Sequence, residues 1–256
     1  MLLKYSISGR SKTLRNVLAG VILPLAGQIM SSADPPSAPA KGDPAVMTIN
    51  GEPVSASEYL LIMERQKASV YLFFKEHQNL DDRPGFWSEE MGPDGPLAKL
   101  RNATLEELIR VKVNQGLAKQ KGLIQDVTYA AFRADFTSEN ARRVKALSAG
   151  DVVYGPRQYR EATYYYKRFG DLVYQLTHAI GKEQDQKTRN KAIEQYYEDN
   201  KDSLGSTPLD DVMREKILTV LEERDYGQLM RSLYASAKVE INEPLLKPLV
   251  PRSDPA

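Results

Sequence analysis

The residues of this chain that could do acid–base or metal chemistry are few and widely spaced. The two histidines, His77 and His178, lie far apart in the sequence, and neither has a metal-ligand spacing such as His-x-x-x-His. Adjacent carboxylates such as Glu106 and Glu107 would point about 100° apart on a helix, so they do not form an acid–base pair. No cysteine, serine-elbow motif, Walker loop or dinucleotide fingerprint occurs. We therefore predict no catalytic site, no metal and no cofactor.

Aromatic side chains are the more informative chemical feature. The consecutive residues Tyr164, Tyr165 and Tyr166 would point in different directions around a helix, so some rings must face away from a core. Two interpretations stay open. Either Tyr165, Phe169 and Leu172 pack inward while the other rings edge the surface, or the outward rings line a crevice that grips apolar side chains of another polypeptide. The candidate binding residues are Tyr159, Tyr164, Tyr165, Tyr166, Phe73, Phe74 and Trp87.

Helices must position these side chains. Ser55 or Ser57 can cap a first helix, with Glu58 beside its positive dipole end. A loop over residues 79–96, rich in proline and glycine, then holds the single tryptophan, Trp87. The helical spacing of apolar residues predicts further helices over residues 97–121, 128–147, 155–179, 186–202 and 210–237.

Two segments have the alternation of short strands, and they lie at opposite ends of the predicted folded region. They are residues 46–49, which run into the turn-forming pair Asn50-Gly51, and residues 239–241. Because neither has another predicted partner for its backbone groups, we expect them to pair with each other. The predicted fold is mainly α, a multi-helix domain over residues 46–242 with one short β pairing between its ends.

The first part of the chain resembles an export signal. Within residues 1–33, an apolar run at residues 17–30 follows the basic residues Lys4, Arg10, Lys12 and Arg15. The run is short for a bilayer span, so a cleaved signal peptide is favoured, and an uncleaved membrane anchor stays the alternative. A mitochondrial presequence is less well supported, because the run has no polar face. We expect an extracytoplasmic protein, either secreted or tethered to the membrane through residues 17–30.

Composition bounds the remaining organisation and the partners. Residues 34–45 are rich in proline and predict an extended linker, and residues 243–256 predict a disordered tail. The 35 basic and 34 acidic residues give a formal net charge of +1, so the chain lacks the excess of positive charge that is typical of proteins that bind nucleic acid. An exported protein also generally meets no ATP. We therefore expect a function that needs neither nucleotide nor nucleic acid.

Several stretches, taken in order, resemble the chaperone module of the SurA and PrsA family of exported folding helpers. Residues 46–55 are similar to that family's first strand, Asn-Gly turn and helix entry. The other similar stretches are residues 105–109 and 118–123 of the second helix, residues 192–201, and the terminal strand at residues 237–242. The resemblance implies an ATP-independent chaperone that holds unfolded or nascent exported polypeptides, here called clients, in a cleft between helical lobes.

One departure from the longer family members affects the expected activity. Where those members insert a parvulin-type prolyl isomerase domain, this chain has residues 203–211 between two predicted helices. An independent domain needs on the order of 50 residues, so the resemblance implies a chaperone without the isomerase. Two alternatives stay open: a prolyl isomerase that acts through another site, and a non-catalytic adaptor for one exported partner. Dimer formation by exchange of helices also stays open.

Overall fold

A computed structural model describes residues 42–81, 84–205 and 207–251 of the chain. These residues are mainly helical and include one three-stranded antiparallel sheet, which confirms the predicted fold class. The predicted signal or anchor segment, residues 1–33, lies outside the described residues, as does most of the predicted linker. The last residues of the predicted linker belong to the folded domain. Ala45 begins the first strand, and Asp43 Oδ1 accepts a hydrogen bond of 2.9 Å from the Ser57 N–H at the start of the first helix.

The sheet joins the two ends of the described chain. Strand β1, Ala45–Ile49, lies between β2, Glu52–Ser55, and a later strand, Val239–Ile241. Met47 stands opposite Ile241, and Ile49 opposite Val239, which confirms the predicted end-to-end pairing.

Strand β2 is the strand that sequence patterning missed. Pro53 argues against a strand, but β2 is an edge strand, where a missing N–H costs little. Asn50 and Gly51, at φ values of 51° and 83°, form the tight turn that folds β2 back onto β1. The prediction that β1 has a single partner is therefore wrong.

The helices follow the predicted order. The long ones are α1, Ala56–Gln78; α2, Pro96–Gln120; α3, Tyr129–Ser148; α4, Glu161–Gly181; α5, Gln186–Asp199; and α7, Asp211–Ala235. Short ones are α6, Lys201–Leu204, and α8, Glu243–Leu246, and the predicted loop contains one 3₁₀ turn, Glu89–Met91. Ser55 caps α1 as predicted and Asp210 caps α7 in the same way, since each side chain accepts a main-chain hydrogen bond three residues on. The final strand, Val239–Ile241, is β3.

The tail prediction needs correction. The segment predicted to be disordered, residues 243–256, contains α8, and its Leu246 is buried in the main core. Arg101 Nη2 also donates a hydrogen bond of 2.8 Å to the carbonyl oxygen of Lys247. The proline content misled the prediction, because Pro244 stands in the first turn of α8, where a helix tolerates it. The last part of the predicted tail, residues 252–256, lies outside the described residues.

The main core unites the sheet with α1, α2, α4, α8 and the last part of α7. A second, smaller cluster lies between α5 and the first part of α7, formed by Ile193, Met213, Ile217 and Leu221. Helix α3 joins the main core at its start, where Tyr129 belongs to that core and Phe132 packs against it, and the other buried residue of this helix is Arg143. We call α3 and the following residues 149–160 the α3 arm. Within the described ranges, no helix has the length and apolarity needed to cross a membrane.

Candidate functional site

A groove of about 520 Å³ opens between α3 and α4. Its lining comes from Gln115 of α2, the connector at residues 123–128, the first turns of α3, and α4 from Tyr165 to Gln175. We call it the α3–α4 groove. It lies where the α3 arm meets the main body, so its width depends on how that arm is held.

Apolar side chains line much of the groove. They are Leu123, Ile124, Val127, Phe132, Phe169 and Leu172. Phe132 packs edge-on against Tyr165 with ring centroids 4.9 Å apart, and it stacks on Tyr129 at 5.4 Å. These contacts attach the first part of α3 to α4 through aromatic rings.

A buried ion pair lies beneath the groove and positions part of its lining. Lys112 Nζ of α2 lies 2.9 Å from Glu58 Oε2 of α1, and both side chains are at most 1% exposed. The Tyr165 hydroxyl donates to Glu58 Oε1 at 2.7 Å, and Lys112 Nζ donates to the Val127 carbonyl oxygen at 2.9 Å. Because Tyr165 and Val127 both line the groove, this pair positions one residue of α4 and one of the connector.

Sequence reasoning missed the part that this pair plays. The sequence marks Glu58 as a helix-dipole partner and does not single out Lys112, although both lie on buried faces of their helices. The available signal is spacing: Lys112 follows the core residue Leu108 by four positions, and Glu58 precedes Ile62 by four. A charged residue that shares a helix face with core residues predicts a buried partner.

The tyrosines of this region act as hydroxyl donors. Burial raises the pKa of Tyr165 well above its usual value, and the charge of Glu58 raises it further. Burial, with a hydrogen bond to Asp135, raises the pKa of Tyr164 to about 12. Burial and the hydrogen bond to Glu161 likewise raise the pKa of Tyr129. All three hydroxyls therefore stay protonated at neutral pH. Those of Tyr129 and Tyr164 join the first part of α3 to α4, and that of Tyr165 joins α4 to α1.

The polar part of the lining carries a negative excess. It contains three aspartates, Asp126, Asp135 and Asp171, and one arginine, Arg168. Arg168 Nε lies 3.1 Å from Asp135 Oδ2. Asp126 Oδ1 instead accepts the Thr128 N–H, and no basic side chain of the described residues makes an ion pair with it. The groove therefore offers an exposed carboxylate acceptor beside apolar surface.

The structure divides the predicted binding residues. Phe74, Tyr164 and Tyr165 are buried at 1%, 5% and 3% exposure, so they do not supply the outward rings that the prediction required. The remaining four, Phe73, Trp87, Tyr159 and Tyr166, are half-buried. The inward packing of Tyr165, Phe169 and Leu172 is confirmed, since each is at most 7% exposed.

The seven predicted residues also form two separate groups. Phe73, Phe74 and Trp87 belong to a chain of ring contacts through Phe86 at the end of α1. Tyr159, Tyr164, Tyr165 and Tyr166 belong to the α3–α4 region. No ring contact among the described residues joins the two groups. Whether any of the four half-buried rings binds a client stays a prediction.

The histidines occupy separate places. His178 Nδ1 of α4 lies 2.7 Å from Glu222 Oε2 of α7, and Glu222 is buried. The ring of exposed His77 stacks on Phe73 with centroids 4.6 Å apart. Over the described part of the chain, no three acidic or histidine side chains group closely enough to hold a metal ion.

No family model, curated protein or solved structure matches this chain. Its function must therefore be argued from the α3–α4 groove and its surroundings.

Proposed function

We propose that this chain is an ATP-independent, chaperone-like protein that holds unfolded or partly folded exported polypeptides in the α3–α4 groove. The observation that carries the proposal is the groove's mixed lining, in which apolar side chains stand beside the exposed carboxylate of Asp126. An unfolded segment has apolar side chains to bury and main-chain N–H groups that need acceptors. The groove offers both.

Both walls of the groove are held in place. One wall is the first part of α3, whose Tyr129 belongs to the main core, and the opposite wall, α4, packs against α2 and α7 in the body. A groove that is already ordered binds a client without the entropic cost of forming the site.

A protein that releases its clients without nucleotide can function only if it binds them with moderate affinity. A dissociation constant of ~1 μM corresponds to about −8 kcal/mol, and with an association rate constant of ~10⁶ M⁻¹s⁻¹ it gives a release rate of roughly 1 s⁻¹. Much tighter binding would trap a client, because no ATP step would eject it.

Suppression of client aggregation tests the proposal directly. The full chain is mixed with two unrelated proteins, one reduced and one heated, in the absence of nucleotide, and light scattering is followed. We expect suppression of both at near-stoichiometric ratios. Ile124→Asp places a charge on the apolar lining and should weaken suppression several-fold, whereas Val212→Asp, at a valine 63% exposed on α7, should not.

The other results separate the alternatives. If the full chain suppresses neither aggregation reaction, the proposal of general client binding fails, and a dedicated partner becomes the better hypothesis. If Ile124→Asp and Val212→Asp suppress aggregation equally well, the protein holds clients elsewhere than in the α3–α4 groove. Circular dichroism of each variant verifies that it is folded.

A further inference from the structure

The charge around the α3–α4 groove differs from that of the whole chain. The full sequence has a formal net charge of +1, but the groove lining holds three aspartates and one arginine. The groove lining is therefore more acidic than the chain as a whole.

The aspartates are held in ways that leave them able to accept a further cation. Asp126 Oδ1 accepts the Thr128 N–H at 2.7 Å, and the other carboxylate oxygen makes no hydrogen bond to a described residue. Asp171 pairs with Lys167 at 2.6 Å, but both side chains are more than 40% exposed. Exposed pairs of this kind contribute little to stability, so an incoming cation can replace Lys167 at little cost.

Half-buried apolar residues and acidic groups line the same opening. Leu123, Ile124 and Phe132 are half-buried, whereas Val127 and Leu172 are 4% and 7% exposed and offer little surface. A segment that buries apolar side chains on Ile124 and Phe132 therefore brings its neighbouring side chains towards Asp126 and Asp171, which line the same groove. Lysine or arginine at those neighbouring positions would gain attraction, whereas glutamate or aspartate would meet like charge.

We propose that the α3–α4 groove selects client segments in which apolar residues alternate with lysine or arginine, and discriminates against the acidic equivalents. This inference rests on the proposed function and adds to it the class of client. Asp126 and Asp171 determine the selectivity, and the apolar lining supplies binding common to all clients.

Matched peptides test the inference. Three fluorescent peptides carry the same apolar residues, with lysine, serine or glutamate at the positions between them, and anisotropy gives their dissociation constants for the full chain. Two exposed ion pairs predict that the lysine peptide binds roughly tenfold more tightly than the glutamate peptide at low salt. The ratio should fall towards one at high ionic strength, since salt screens exposed charges.

Charge-removing variants locate the selectivity. In Asp126→Asn/Asp171→Asn the ratio of the glutamate to the lysine dissociation constant should drop to about two or below. Asparagine keeps an acceptor for the Thr128 N–H, so the connector is preserved. The matched control, Glu90→Gln/Glu215→Gln, removes two exposed carboxylates outside the groove and should keep the full ratio.

The outcomes separate this inference from the proposed function. Equal binding of all three peptides overturns the charge preference and leaves client binding intact. A lysine preference that survives in Asp126→Asn/Asp171→Asn overturns its assignment to this groove. Binding of none of the peptides overturns the inference together with the proposed function.

Discussion

Lys112 and Glu58 bring two full charges into a part of the molecule that water does not reach. Each ion stays favourable there only because the other lies 2.9 Å away and because the Tyr165 hydroxyl and the Val127 carbonyl each add one hydrogen bond. A pair of this kind adds little net stability compared with apolar side chains, but it ties together four segments of the chain. Its role is to fix where the groove lining stands.

Removal of one partner should therefore be costly. Lys112→Met leaves the Glu58 carboxylate buried without a counter-charge, and we expect the free energy of unfolding to fall by about 3–5 kcal/mol. Urea denaturation followed by circular dichroism measures the loss. The double variant Glu58→Gln/Lys112→Met should recover a large part of it, because no buried charge remains. A loss below about 1 kcal/mol in the single variant would show that the pair is not buried as described.

Glu139 gives the α3 arm a dependence on pH. Hydrogen bonds from Arg142 and then Arg143 lower the pKa of Glu139 to about 2. Arg143 in turn donates to the carbonyl oxygens of Tyr154 and Pro156, so the carboxylate helps to order residues 149–160. Since the folded-state pKa lies below the unfolded value of about 4.3, this contribution is complete above pH ~4.3 and is lost as the pH falls towards 2.

Comparison of the wild type with Glu139→Gln measures that contribution. The difference in urea midpoint between the two proteins should be constant from pH 7 to about 5, shrink below pH ~4.3, and vanish near pH 2. Glu215→Gln, at an exposed residue of α7, is the control and should show little difference from the wild type at any pH. A Glu139→Gln difference that grew as the pH fell would have the wrong sign for this mechanism.

Among the elements, α4 and α7 pack closely where Gly181 of α4 faces Glu222 of α7. A Cβ atom added at Gly181 would overlap the side chain of Glu222, which is buried and paired with His178. The glycine therefore lets the end of α4 approach α7. His178 and Glu222 then fix that approach with an ion pair at 2.7 Å when the imidazole is protonated.

Two glycines of the same helix provide a matched test. Gly181→Ala should destabilise the protein by about 1–3 kcal/mol, because the added methyl group must displace Glu222 or separate the helices. Gly170→Ala has open space around the new methyl group and should be neutral or stabilising by up to about 1 kcal/mol. Thermal unfolding of both variants measures the contrast. Equal effects would mean that α4 and α7 do not pack as closely as described.

The elements were largely predictable from local signals, and the exceptions have local causes. The starts of α1 and α7 follow from Ser55 and Asp210, whose side chains cap them. Helix α4 begins at Glu161 rather than near residue 155, because Gly155 adopts a positive φ of 85° and Pro156 follows it. Strand β2 escaped prediction because Pro53 is unfavourable in a strand except at an edge, and edge position is a property of the sheet.

For the whole molecule, residues 243–251 contribute more to the main core than their proline-rich composition suggests. Leu246 of α8 is 9% exposed and belongs to the main core, whereas its neighbour Leu245 is 37% exposed. Leu246→Ala should lower the free energy of unfolding by about 2–3 kcal/mol, and Leu245→Ala by less than about 1 kcal/mol. Urea denaturation tests both variants. Similar small losses would support a loose tail over residues 243–251.

The groove was less predictable than the fold. Rings such as Tyr165 could be marked as notable from sequence, but which side of α4 faces the body depends on where α3 and α7 pack. The acidic residues Asp126 and Asp171 are separated along the chain and line one groove only because the connector and α4 both border it. Sequence spacing within one helix cannot report such an arrangement, since it arises from tertiary packing.

The central position of β1 also bears on the order in which the molecule can fold during synthesis. Strands β1 and β2 are made early, but β1 meets β3 only after almost the whole domain has been made, since Asn50 and Lys238 are 188 residues apart. Closing so long a loop costs conformational entropy that only the finished core can offset. A growing chain therefore keeps one edge of β1 open until its last strand emerges, and the sheet is completed as one of the final folding events.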